Sequence, residues 1–169
     1  MSKHPLLDLA KESIQTVFNP KQINSHVYKK FNKKLGAFVT LKKKEQLRGC
    51  IGKIQSNEPL YKTIIYLSKA ACKDSRFMPV TEEEIKQIKI EISILSQPKQ
   101  ITHIDEIVVG RHGVIFNYNK ANSIFLPEVA HHHHWTVITL LEQLSIKAGT
   151  DKQTWKKATL SIFTAEKIY

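Results

Sequence analysis

The chain is short of several things, and each shortage closes off a class of protein. Two cysteines among 169 residues are too few for a disulfide framework. No apolar run comes near the ~20 residues that span a bilayer. Met1-Ser2-Lys3-His4-Pro5 has no apolar stretch behind it of the kind an export signal needs. These absences point to a cytoplasmic protein with reduced thiols. Six glycines and six prolines are thinly spread, with neither repeat nor low-complexity linker, so the chain reads as one α+β unit over 1–169. Acidic side chains are also scarce, 15 against 26 Lys and Arg, for a net charge of +11.

What is present is enough for an ordinary core. Hydrophobic residues make up 41%, and a chain of this length can bury roughly 70% of its extended surface, so no metal or cofactor is needed to hold the fold. The positive excess is uneven: residues 1–53 carry 12 basic and 3 acidic side chains. Such asymmetry points to an anionic partner, whether RNA, an acidic protein or a small anionic ligand.

The least ordinary chemistry sits in Leu47-Arg48-Gly49-Cys50-Ile51-Gly52. The stretch follows an alternating run, Ala37 to Leu41, across Lys42-Lys43-Lys44-Glu45-Gln46, a pattern that predicts a β-hairpin. With a period of two, Arg48, Cys50 and Ile54 share one face and Leu47 and Ile51 the other, which puts a guanidinium and a thiol on the same side. Gly49 and Gly52 let another backbone or a ligand come close to Cys50. The plainer alternative is a tightly packed strand crossing with Cys50 as a small hydrophobe.

Around it the chain alternates helix and strand signals. Pro5 to Phe18 predicts a helix with Leu6, Leu9, Ala10, Ile14 and Val17 as its apolar stripe. Asn57 is a candidate N-cap for a second helix from Leu60 to about Asp74, at whose exit Asp74, Arg76, Phe77 and Pro79 cluster. Asp74 and Arg76 either fix that turn as a buried pair or leave Arg76 as an anion clamp; Cys72 reads as helix packing. Thr81 with Glu84 resembles a capping box. Ile88 to Ile94 alternates without a break, isoleucines inward, which predicts an antiparallel sheet with one lightly covered face. Further strands are expected with Val114, Phe116 and Tyr118 on one face, at Ile124 to Leu126 before Pro127, and at Leu160, Ile162 and Thr164. Asn117 to Ser123 reads as a turn, and Asp151 to Lys157 as one helical turn. Thr136 caps a helix, Val137 to Ala148, with Ile138, Leu141, Leu144 and Ile146 inward and Gly149 beyond its end.

Two clusters invite binding roles. Tyr28 and Phe31 lie among Lys29, Lys30, Lys33 and Lys34, where rings stack bases above a phosphate-tracking groove or, alternatively, anchor a solvated loop to the core. His131 to His134 invite a metal, but neighbours in a run point apart and only His131 and His134 would share a helix face. That geometry leaves no metal centre beyond the incidental affinity of a surface cluster.

Taken together these landmarks resemble the AMMECR-domain family. The resemblance is carried by Gly36-Ala37-Phe38-Val39-Thr40-Leu41, Leu47-Arg48-Gly49-Cys50-Ile51-Gly52, and Ala70-Ala71 with Asp74, Arg76, Phe77 and Pro79. It continues through Ile90 to Ser96, His112-Gly113, Leu126-Pro127, Val129-Ala130, Trp135 and Lys147-Ala148-Gly149. Glu128 stands where the family usually has glutamine, and Thr136 where it often has aspartate, a change that keeps an N-cap. The resemblance implies a larger α/β lobe holding both termini, a smaller antiparallel β lobe and a cleft near the Arg-Gly-Cys motif. It also implies an association with Memo-like and radical-SAM proteins.

Two functions follow for testing. In the first, Cys50 is a nucleophile or redox thiol, Arg48 favours its thiolate or binds an anionic ligand, His112 serves as base, and Gly49, Ile51 and Gly52 supply backbone close to the ligand, with Asp74 and Arg76 beside them. In the second, the basic first third is a noncatalytic binding module for RNA or an acidic protein.

Overall fold

The computed structural model describes residues 4–169; Met1, Ser2 and Lys3, on which the export-signal reading partly falls, lie outside the described residues. The described chain divides into two compact units, one running up to Leu95 and including Glu166–Tyr169, the other Ser96–Ala165.

The larger unit begins with α1 (Pro5–Phe18), whose proline occupies the first turn and whose His4 ring accepts the Leu6 N–H at 3.2 Å. Leu6, Leu9, Ala10 and Ile14 are buried as their spacing predicts. Strands β1 (Ala37–Lys43) and β2 (Gln46–Lys53) form the expected hairpin. Its loop is only Lys44-Glu45, both at positive φ, 50° and 62°, the geometry of a type I′ turn. Helix α2 spans Leu60–Ala71, shorter than its apolar spacing predicts, and its N-cap is Pro59, not Asn57. Asn57 lies two residues too early, and the Ser56 hydroxyl takes up the Glu58 N–H instead. Strand β3 (Ile88–Leu95) pairs antiparallel with β1, so that Val39 sits between Ile51 and Ile92. The order β2-β1-β3-β8 is completed by a strand the sequence pattern did not reveal, Ala165–Ile168. Helices α1 and α2 cover one face and enclose Val39, Leu41, Ile92, Ile64 and Leu67.

In the smaller unit β4 (Lys99–Ile101), β5 (Gly113–Tyr118), β6 (Ala121–Phe125) and β7 (Thr159–Phe163) pair antiparallel in the order β4-β7-β5-β6. Residues 117–123, expected as a turn, are a tight hairpin reversing at Asn119, whose φ is +54°; asparagine tolerates that region better than most residues. Pro127 starts a short helix, α3 (Pro127–His132), and α4 covers Val137–Lys147. The Thr136 hydroxyl accepts the Thr139 N–H and Gly149 sits at φ +74°, both at the positions their residue types predict. The inward face of α4 differs: Leu140, Leu141 and Leu144 are buried, while Ile138 and Ile146 are 43% and 50% exposed. Leu140, Leu141 and Leu144 keep the i, i+1, i+4 spacing of a single helical face, which Ile138 and Ile146 break. Both units are α+β, and the smaller one carries two helices beside its sheet.

Candidate functional site

Cys50 lies on β2, the outermost strand of its sheet, opposite Thr40. Val39 and Leu41 point to the core, so Thr40 and its cross-strand partner Cys50 point to the face that α1 and α2 do not cover. Cys50 as a residue is half-buried, and its Sγ lies 3.2 Å from the Thr40 hydroxyl. At the sheet's free edge, the Cys50 N–H donates to Asp74 Oδ2 at 2.9 Å, and the Cys50 carbonyl accepts from Arg76 Nη2 at 3.0 Å. Because bonds alternate along an antiparallel ladder, the neighbouring Gly49 and Ile51 amides face β1.

Asp74 and Arg76 form the pair read from the sequence as one alternative, but only the Asp74 carboxylate is buried. Arg76 Nε donates to Oδ1 at 3.0 Å and Nη2 to Oδ2 at 2.7 Å, and the Arg76 backbone N–H adds a third bond to Oδ1. The Arg76 guanidinium foremost, helped by the Cys50 and Arg76 amides against the cost of burial, holds the Asp74 carboxyl well below the usual carboxylate range. Arg76 itself remains 58% exposed along its side chain, and none of these bonds uses its Nη1. Its own basicity is raised, chiefly by the hydrogen bond to Asp74 and by that carboxylate's charge, against the cost of burial.

Arg48 goes elsewhere, which corrects the period-two reading. A bulge between Leu41 and Lys42 pairs Leu41 with Gly49 but Lys42 with Leu47, so Arg48 is an extra residue and the alternation breaks there. Its guanidinium donates to both Glu84 carboxylate oxygens, at 3.2 and 2.9 Å, and to the carbonyls of Met78 and Pro79, at 2.8 and 3.2 Å. None of these bonds reaches Cys50. Lys43 Nζ adds a 2.8 Å bond, and the Arg48 and Lys43 bonds with the Thr81 N–H lower the Glu84 carboxyl to about 2. Glu84 was legible as half of a capping box, and its Oε2 does accept the Thr81 N–H; its role as partner of Arg48 required the fold.

The glycines answer their own question. A Cβ on Gly49 would stand 2.3 Å from the Ala71 carbonyl oxygen at the end of α2, and one on Gly52 would meet the Phe38 ring at 2.1 Å. The close approach they permit is therefore made by the chain's own backbone and ring. Cys72 is buried in α2, its thiol donating to the Ser68 carbonyl, and burial pushes that thiol up to about 11.

The remaining candidates sit as follows. His112 belongs to the smaller unit, where its Nδ1 accepts the Val108 N–H at 3.1 Å. Lys29, Lys30, Lys33 and Lys34 are exposed, while Tyr28 and Phe31 pack against the core of the larger unit. The Lys33 and Phe31 carbonyls accept the Leu60 and Tyr61 amides, which fixes the lysine segment to the start of α2. Of the four histidines, His133 stacks on Trp135 with centroids 4.7 Å apart. Among the described residues no group of three or more His, Cys, Asp or Glu side chains converges on a metal position, and no helix is long and apolar enough to cross a membrane.

Fold and site thus define an α+β protein with two four-stranded antiparallel sheets and an Arg-Gly-Cys strand whose free edge is held by an Asp-Arg pair. The chain belongs to the AMMECR1 family, whose model matches residues 7–168. It is 30% identical over 173 residues to a protein of Aquifex aeolicus, covering 96% of this chain and 89% of that one. A Methanococcus aeolicus protein is 37% identical over 145 residues, 80% of this chain and 73% of its own. Among solved structures, an uncharacterised protein from Pyrococcus horikoshii superposes with a TM-score of 0.83 at 29% identity, over 96% of this chain and 88% of that one.

Proposed function

We propose that the chain presents Cys50 as a working thiol, in thiol chemistry or in capturing an anionic ligand, with Arg76 and not Arg48 supplying the positive charge. The observation that carries this reading is the asymmetry at Cys50. Both backbone polar groups of this half-buried residue are held by Asp74 and Arg76, while its sulfur has one weak polar neighbour, the Thr40 hydroxyl. A half-buried cysteine with an exposed guanidinium bonded to its own carbonyl has the electropositive, accessible character that favours cysteine reactivity. In this reading Asp74 is a positioning residue and Arg48 anchors the 78–84 segment; no step is assigned to His112. Alkylation by iodoacetamide, mapped by mass spectrometry, is the test. Cys50 is expected to react about 100-fold faster than buried Cys72 at pH 8, and Arg76→Gln to slow it several-fold. A Cys50 that reacts no faster than Cys72 in the folded chain would overturn the reading.

A second reading rests on a different observation, the four outward lysines on a segment stapled to α2. With Tyr28 and Phe31 turned to the core, the segment is suited to holding RNA through phosphates without stacking its bases. Affinity should then fall with salt at a log-log slope of about −0.7 per phosphate contacted. Replacing Lys29, Lys30, Lys33 and Lys34 by glutamine should abolish binding while leaving Cys50 alkylation unchanged. A flat salt dependence would remove this reading.

A further inference from the structure

The core face of the larger sheet is not fully covered. Ile92 is completely buried beneath the helices, whereas Ile88 and Ile90, on the same face and earlier along β3, are only half-buried. They form, with Leu7 and Ile14 of α1 and with Ile85, the aliphatic floor of a groove of about 480 Å³. That volume falls within the ~300 to 1,000 Å³ typical of small-molecule pockets. The strand beyond β3 is only four residues long.

The groove's charged residues are both cationic, and Gln15 adds one neutral amide. Lys11 and Lys86 line it, and neither has an ion-pair partner among the described residues. The acids of the neighbouring segment are engaged elsewhere: Glu82 with Asn19, Glu83 with Thr81, Glu84 with Lys43 and Arg48, and Glu91 with Lys42. An aliphatic trough whose two ammonium groups make no ion pair among the described residues complements a molecule with an apolar body and an anionic head. We infer that this groove binds a free aliphatic carboxylate, with the hydrocarbon chain on the isoleucines and the carboxylate between Lys11 and Lys86. The site is separate from Cys50, whose side chain projects from the opposite face of the sheet.

The test is a titration of the full-length chain with decanoate, followed by isoleucine methyl NMR and calorimetry. Decanoate should saturate and shift the methyl signals of Ile85, Ile88 and Ile90, and each methylene removed from the ligand should weaken binding about fourfold. Decanol should bind the same chain at least about tenfold more weakly than decanoate. The K11Q/K86Q pair should lose about tenfold in decanoate affinity at an unchanged melting temperature, with decanol binding unaffected. The inference is overturned if those methyl signals do not move, if decanol binds the unaltered chain as tightly as decanoate, or if a folded K11Q/K86Q chain binds decanoate normally. The decanol comparison stands without the variant should the latter fail to fold.

Discussion

At the scale of single residues, the hexamer's chemistry comes from what each position excludes. Gly49 is required because the Ala71 carbonyl lies where a side chain would begin. Gly49→Ala must push the strand away from the end of α2, and overpacking against backbone should cost about 3 kcal/mol, measured as a lower urea midpoint at constant slope. The same push would disturb the Asp74 bond to Cys50, so the variant should also alter the iodoacetamide rate of any folded fraction. The residue types here were readable: a cysteine between glycines, and an acid and an arginine two apart. Asp74 as the partner of the Cys50 amide was not readable, because it lies 24 positions away and nothing local in a sequence records which free edge a helix exit will meet.

At the scale of elements, periodicity located most of the structure and failed at the β2 bulge, where one extra residue broke it, and on α4, where Ile138 and Ile146 stand off the buried face. Ile88 to Ile94 and Leu6 to Ile14 face as their spacing requires, because an unbroken strand or helix has one period and one buried side. The bulge at Arg48 carries no comparable mark, and it separates the guanidinium from the thiol that strict alternation would have joined. The hairpin turn is a second hidden feature, since Lys44 and Glu45 are not residues that signal a two-residue reversal. Both pay for positive φ with steric strain, and glycine escapes that penalty. Lys44→Gly should therefore stabilise the hairpin by about 1 kcal/mol, seen as a melting temperature raised by about 2 to 4 °C.

At the scale of the molecule, the two most strongly lowered carboxyls, Glu84 and Asp74, tie stability to acid. Glu84 titrates at about 2 in the folded chain against an ordinary 4.5, and Asp74 is likewise lowered. Groups lowered on folding contribute fully above their ordinary values and lose that contribution as pH falls through the folded ones. Stability should therefore be level near neutrality and decline from about pH 4.5 toward 2. Glu84→Gln should cost on the order of 2 kcal/mol at pH 7 and flatten that decline, which denaturant melts at several pH values would reveal. Composition does not mark the division into two units, which only the family resemblance implied: no linker accompanies it and Ala165–Ile168 follows β7 almost without a break. One consequence of the Asp74 and Arg76 arrangement reaches beyond a single copy. A sheet margin with unpaired amides and carbonyls is a template on which further chains can add as strands. By occupying both groups of Cys50, this pair denies a neighbouring molecule its foothold midway along β2, so the residues that position the thiol also guard against amyloid-like stacking.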